Sequence, residues 1–322
     1  MKILVTGAAG FIGSKLACEL ARRGDEVIGI DNFNDYYDVR LKQARVQEFG
    51  IQVQSLDIAD KDAIDALFAE EHFDKVVNLA AQAGVRYSIT NPYAYLQSNL
   101  VGFLNILEAC RNYDVKHLVY ASSSSVYGLN AKVPYREDDK VDNPVSLYAA
   151  TKKSDELMAH AYCKLYGIAM TGLRYFTVYG PWGRPDMSPM LFASAINKGE
   201  PIRVFNNGDM IRDFTYIDDI VAGTIGCLDH VPSPDDNGLP YRVYNIGCSH
   251  PVKLMDFSSE LEQAMGCEAK KIFLPMQPGD VYQTNADTSL LEREIGYKPQ
   301  VQLHEGIQKF VEWYNAVIPG LT

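Results

Sequence analysis

The stretch "KILVTGAAGFIGSKLACELARR", residues 2–23, decides the fold. "KILVTG" is short and mostly aliphatic, and reads as a strand; Ser14–Arg23 reads as a helix. Between them Gly7, Gly10 and Gly13 stand in a G-x-x-G-x-x-G spacing. Glycines at a strand-to-helix turn have three uses. They allow a tight reversal, let the backbone approach a pyrophosphate, and let helix pack closely on strand. The helix N-terminus then offers unpaired N–H groups to phosphates.

Working outward, apolar runs alternate with helical patterns. "EVIGID" (26–31), "IQVQSLDI" (51–58), "KVVNLAA" (75–81), "HLVYASSS" (117–124) and "AMTGLRYF" (169–176) read as strands. Helices are expected over 61–70, over 93–112 and around Tyr148. This alternation predicts βαβ units and an α/β, Rossmann-type, doubly wound parallel sheet. After Phe176, Pro and Gly become frequent, as in "YGPWGRPDMSP", and the segments shorten. Residues 1–176 are therefore expected to form the dinucleotide-binding domain. Residues 177–322 would mainly form a smaller C-terminal substrate-binding lobe, with 214–247 ("FTYIDDIVAGTIGCL" and "VYNIG") returning to the main sheet.

The chain has 322 residues, 47% of them hydrophobic, and a net charge of −11. That suffices for a large core. No Lys/Arg-rich run marks a nucleic-acid or anionic-membrane partner, and no apolar run reaches the length of a membrane span. The chain opens directly on a strand, which leaves no room for a signal peptide. Cys18, Cys110, Cys163, Cys227, Cys248 and Cys267 are scattered without a C-x-x-C, as expected of reduced thiols in the cytoplasm. No His/Cys/carboxylate spacing suggests a metal, so none is expected.

Asp31 ends the second strand, where an acidic residue meets the adenosine ribose hydroxyls; a carboxylate there repels a 2′-phosphate and favours NAD over NADP. Asn32 would assist it, and Asp57 and Ile58 in "SLDI" would flank the adenine. In "SLYAATKKSD" (146–155), Tyr148 and Lys152 lie four apart with only small residues between. On a helix they share one face.

The glycine turn, Asp31, "NLAAQAGVR", "SSSSVYG", "YAATK" and "RDFTYIDDIV" occur in one order along the chain. Together they resemble the extended short-chain dehydrogenase/reductase family and its nucleotide-sugar epimerases. "DNFNDYYDVRLK", "AAQAGVRYS" and "RYFTVYGPWGRPDM" resemble the UDP-glucuronate 4-epimerases in particular. The resemblance spans essentially the whole chain. It implies Tyr148 as the proton-transfer residue, Lys152 as its partner, and Ser123 as the hydroxyl that places the reacting sugar oxygen. A phenol is a poor base at neutral pH, and a nearby ammonium favours the phenolate. It further implies NAD contacts from Gly7, Gly10, Phe11, Ile12, Gly13, Asp31, Asn32, Asp57, Ile58, Leu79, Ala80, Ala81, Asn99, Tyr148 and Lys152.

The same resemblance implies a UDP-sugar held by Arg86, Ser124, Ser125, Tyr148, Thr177, Arg184, Val204, Phe205, Arg212 and Asp280. Arg212 would meet the diphosphate, Phe205 the uracil and Asp280 the uridine ribose. Thr177 departs from the asparagine of many relatives. Ser123, Ser124 and Ser125 stand where decarboxylases carry a Glu and 4,6-dehydratases an Asp-Glu pair. The implied reaction interconverts UDP-glucuronate and UDP-galacturonate through a 4-keto sugar with NAD kept bound; UDP-glucose/UDP-galactose 4-epimerisation is the alternative, and UDP-glucuronate decarboxylation a further one that the missing carboxylates disfavour. The helices around "NLVGFLNILEAC" and Tyr148–Tyr162 are apolar on more than one face, and family members pair them across a two-fold, so a homodimer is expected.

Overall fold

The computed structural model describes residues 1–321. Among them lie twelve strands: Lys2–Thr6 (β1), Glu26–Asp31 (β2), Val53–Ser55 (β3), Lys75–Asn78 (β4), His117–Ser123 (β5), Ala169–Tyr175 (β6), Thr177–Tyr179 (β7), Ile202–Val204 (β8), Ile211–Tyr216 (β9), Tyr241–Ile246 (β10), Pro251–Lys253 (β11) and Lys271–Phe273 (β12). Seven of them form one parallel sheet in the order β10-β6-β5-β4-β1-β2-β3. Strand order reverses between β1 and β4. Open α/β sheets bind ligands in the crevice at such a switch point, beyond the carboxyl ends of the strands.

Both faces of the sheet are covered, and alternate side chains serve opposite layers. Ile3 and Val5 join Val77, Val119, Leu173, Leu16 and Leu20 in one core. Leu4 joins Val76, Leu118, Met170, Phe103 and Ile106 in the other. With both faces covered, β4 and β6 are buried at every position instead of alternating.

Several elements depart from the sequence pattern. The first helix spans Phe11–Arg22, starting at the glycines themselves. The third strand ends at Ser55: Leu56 bonds back to the Asp31 carbonyl at 3.1 Å and Asp57 turns the chain away. The helical stretch from Pro92 to Asn112 contains a π-helical segment, Leu96–Val101. A helix over Val39–Phe49 was not foreseen. Its sequence is largely polar, yet Asp38 caps its start, Gly50 takes a left-handed C-cap, and Leu41, Lys42 and Arg45 are buried.

"VYNIG" joins the main sheet as β10, beside β6. "FTYIDDIVAGTIGCL" divides. Its strand pairs with β7 and β11 in a separate three-stranded sheet. Its helix, Ile217–Asp229, packs Ile220, Val221 and Leu228 into the main core, and the buried Lys75 of β4 donates to the Leu228 carbonyl at 2.6 Å. A two-stranded β12-β8 sheet completes the second half. Thus β7, β8 and β9 stand across a cleft from the carboxyl ends of the parallel strands.

Candidate active site

The cleft has a volume of about 980 Å³ and runs from the glycine turn to the segment 277–281. Its first end is built by backbone. Gly7 has φ +68°, a conformation L side chains rarely adopt. A Cβ on Gly13 would lie 2.1 Å from the Gly7 carbonyl oxygen. Gly10 caps the Phe11–Arg22 helix without any side-chain bond to its leading N–H groups. These donors, with Phe11 and Ile12, face the cleft, which suits a pyrophosphate. Thr6 Oγ1 donates to Asn78 Oδ1 at 2.6 Å and accepts from Ala80 N at 3.0 Å, which holds Leu79–Ala81 against the turn.

The Asp31 carboxylate lies at the end of β2. Its Oδ1 accepts from Phe33 N at 2.8 Å and from Lys42 Nζ at 3.2 Å. Asn32 Nδ2 donates to Asp57 Oδ2 at 2.9 Å, and Asp57 Oδ1 accepts from Ala59 N at 2.8 Å. Two carboxylates are thereby fixed at one cleft wall with lone pairs available to ribose hydroxyls. The glycine cradle and this acidic wall fit an NAD-type dinucleotide.

At mid-cleft, Ser146 caps the Leu147–Tyr166 helix by accepting from Ala149 N at 3.1 Å. The cap sets Tyr148 in the first turn and Lys152 one turn later, both lining the cleft. The Tyr148 ring meets Tyr95 edge to face at 6.1 Å, and the Tyr95 hydroxyl donates to the carbonyls of Ala83 and Gly84. Lys152 Nζ donates to the Ala121 carbonyl of β5 at 2.8 Å and contacts Asp155 Oδ2 at 3.2 Å. Ser123, last residue of β5, donates to Ser125 Oγ at 3.1 Å and accepts from Ser125 N at 3.2 Å. Glu156 anchors the helix from behind. It accepts from Arg174 at 2.8 and 2.9 Å and from Ser122 at 2.7 Å. Burial opposes its charge, and Arg174, Ser122 and Lys153 together outweigh burial to hold its carboxyl below the ordinary value.

The far end is built by side-chain pairs. Arg212 donates to Asp280 Oδ1 and to the Val281 carbonyl, both at 2.7 Å. Burial pulls its guanidinium below the ordinary value, and Asp280 opposes that. Arg184 forms a fork on Asp186, which also accepts from the Tyr36 hydroxyl at 3.0 Å. Burial and Asp186 push the Tyr36 phenol up to about 12. Arg86 reaches Gln277 Oε1 at 3.0 Å across the cleft mouth. Ser124, Ser125, Thr177 and Phe205 line the same space.

Two expected contact residues do not line it. Asn99 is 1% exposed, and its amide is spent within the protein. Its Oδ1 accepts from Gln82 N at 2.8 Å, and its Nδ2 donates to Gln82 O and Thr151 Oγ1. It therefore braces the loop after β4 against the Tyr148 helix. Val204 is fully buried and pairs with Phe273, while its neighbours Arg203 and Phe205 face the cleft. Conversely, Tyr36, Lys42 and Asp186 line the cleft but were not singled out from sequence, nor were the buried Tyr95 and Asp155 behind it. Tyr36 and Lys42 fall inside "DNFNDYYDVRLK" and Asp186 inside "RYFTVYGPWGRPDM", which is the signal that could have found them. Among the described residues no group of three or more His, Cys, Asp or Glu could hold a metal ion, and no helix is long and apolar enough to cross a membrane.

Comparison with known proteins agrees with this geometry. Residues 3–247 match the NAD dependent epimerase/dehydratase family. UDP-glucuronate 4-epimerase 4 of Arabidopsis thaliana is 49% identical, over 99% of this chain and 76% of that one. Protein CapI of Staphylococcus aureus is 49% identical over 98% of both chains. The structure of a UDP-glucuronic acid 4-epimerase from Bacillus cereus, in complex with UDP-glucuronic acid and NAD, matches with a TM-score of 0.91 and 36% identity, over 98% of this chain and all of that one. A switch-point cleft with a glycine cradle at one end and paired arginines at the other, together with these matches, makes the chain a member of the NAD-dependent epimerase/dehydratase family.

Proposed function

We propose that the protein is an NAD-dependent UDP-glucuronate 4-epimerase, interconverting UDP-glucuronate and UDP-galacturonate. The observation that carries this is the company Tyr148 keeps. It shares one cleft with the glycine cradle and with the hydroxyls of Ser123, Ser124, Ser125 and Thr177.

NAD, when bound, supplies hydride transfer to and from the sugar C4. The residues of the chain do the rest. Gly7, Gly10, Phe11, Ile12 and Gly13 hold the diphosphate of the cofactor, and Asp31, Asn32, Asp57 and Ile58 its adenosine. Tyr148 takes the proton from the sugar 4-OH and later returns it. The Lys152 ammonium stabilises the phenolate, and Ser123 hydrogen-bonds the same sugar oxygen. Arg212 meets the substrate diphosphate, Asp280 the uridine ribose and Phe205 the uracil. The ion pair between Arg212 and Asp280 must loosen as the diphosphate enters. Arg86 and Arg184 are the remaining candidates for the substrate's negative groups.

A 4-keto uronic acid is a β-keto acid. It loses CO2 most readily when its carboxylate stands perpendicular to the carbonyl. Ser124 or Ser125, with Thr177, hydrogen-bonds the carboxylate away from that geometry.

The cleft lies between the parallel sheet and the smaller sheets, so residues 177–322 mainly supply the substrate lobe. The protein pairs as a homodimer through two helical stretches that leave apolar side chains exposed: Leu96, Val101 and Leu104 on one, Leu157, Leu165 and Tyr166 on the other. It is cytoplasmic, in keeping with six cysteines that form no disulfide. The function is tested by offering purified protein UDP-glucuronate and UDP-glucose separately. Turnover of UDP-glucuronate alone or with large preference is expected. Preference for UDP-glucose would instead make it a UDP-glucose/UDP-galactose 4-epimerase with the same chemistry at C4.

A further inference from the structure

Lys152 has three N–H donors. One goes to the Ala121 carbonyl of β5 and one to Asp155 Oδ2 at 3.2 Å. Asp155 lies one turn beyond Lys152 on the same helix and is 2% exposed. Its Oδ1 is buried and has no hydrogen-bond partner, in contrast to Glu156 beside it, whose oxygens are taken by Arg174 and Ser122. A carboxylate in such a place is costly to ionise. The charged and titratable groups that face it are Lys152 and Glu156 on its own helix and Tyr120 on β5. Only Lys152 favours its charge.

We infer that Asp155 is a positioning residue for Lys152: its carboxylate holds and partly neutralises the ammonium, so the charge that Lys152 presents to Tyr148 depends on whether Asp155 carries a proton. The inference rests on the reading of Tyr148 and Lys152 as the proton-transfer pair. Burial, with Glu156 adding to it and Lys152 opposing, pushes the Asp155 carboxyl up to about 7. The switch therefore falls near neutral pH. Below it the ammonium acts unopposed, and above it the pair shares its charge.

The sign for stability follows from the same shift. The folded state holds the Asp155 proton more tightly than the unfolded chain. The resulting stability is present below the ordinary carboxylate range and is lost as pH rises through about 7.

Asp155→Asn keeps the shape and an acceptor for the ammonium but removes the charge. In the holoenzyme the kcat/KM profiles of variant and wild type should coincide below about pH 7, where Asp155 is neutral in both, and diverge by up to about tenfold above it, where only wild type carries the charge. The KM for UDP-glucuronate should stay within about twofold, because Asp155 does not line the cleft. A second readout needs no turnover. The melting temperature of the variant relative to wild type should rise between about pH 5 and pH 8. Profiles that coincide in shape, with a melting difference independent of pH, overturn the inference. If the asparagine variant does not fold, Asp155→Ala removes the same charge and is read the same way. Wild-type protein that leaves UDP-glucuronate untouched would refute the proposed function instead, and the melting curves would still report on Asp155.

Discussion

The two ends of the cleft are built from different materials. At the cofactor end, backbone does the work: three glycines, a helix N-terminus and two carboxylates fixed by neighbouring N–H groups. At the substrate end, long side chains from distant segments hold one another, Arg212 to Asp280 across 68 residues and Arg86 to Gln277 across 191. The first arrangement is rigid and tolerates no added atom. The second is a set of ion pairs and hydrogen bonds that a diphosphate can enter by exchanging partners. An enzyme that keeps its cofactor and turns over its sugar needs this difference: one end preorganised and closed, the other exchangeable.

Arg45 joins the two. It is fully buried with no carboxylate partner, and donates to the carbonyls of Ala9, Trp182 and Gly183 and to the Tyr37 hydroxyl. It thus ties the glycine turn to the loop that carries Arg184.

If the cofactor end is rigid, Gly13→Ala should have the largest effect. Its Cβ would collide with the Gly7 carbonyl at 2.1 Å. NAD affinity should fall about 10²-fold or more, measured as NAD retained through purification. A variant that keeps its NAD breaks the comparison. Arg212→Ala tests the exchangeable end. The KM for the sugar nucleotide should rise about 10- to 10²-fold while bound NAD stays constant. Arg45→Met tests the link. It should cost about 2–4 kcal/mol of stability, because three backbone carbonyls lose their donor, and it should weaken both ligands together. Smallest is Ser125→Ala, where turnover should drop a few-fold and a UDP-pentose by-product should appear in the product analysis. Neither change occurring would remove Ser125 from the carboxylate's environment.

The same difference decided how much could be read from sequence. Gly7, Gly10, Gly13 and Asp31 were legible because a turn and a strand end are local, and Tyr148 and Lys152 because one helical turn brings them together. The parallel sheet followed from short, mostly apolar runs alternating with helical patterns, and β10 was correctly returned to it. Arg212 and Asp280 were each assigned to the substrate, but their pairing with each other depends on a fold that brings residues 68 apart in sequence into contact. The Val39–Phe49 helix escaped because its buried face carries Lys42 and Arg45, cations that a hydrophobic pattern counts as surface. The strand of "FTYIDDIVAGTIGCL" went to the smaller sheet because β7, two residues after β6, lies ready to pair with it. Asn99 and Val204 sit beside cleft-lining residues but point their polar or apolar groups inward, and a residue's facing is set by tertiary packing.

The central claim is that Tyr148 moves the C4 proton beside a cofactor that the glycine turn never releases. An NMR time course of UDP-glucuronate with purified protein and no added NAD tests it, run in parallel with Tyr148→Phe. The account predicts that wild type accumulates UDP-galacturonate to equilibrium without UDP-pentose, and that the variant, carrying the same NAD, is slower by about 10²- to 10⁴-fold. Equal rates for the two proteins, or no new sugar signal from wild type, would contradict it.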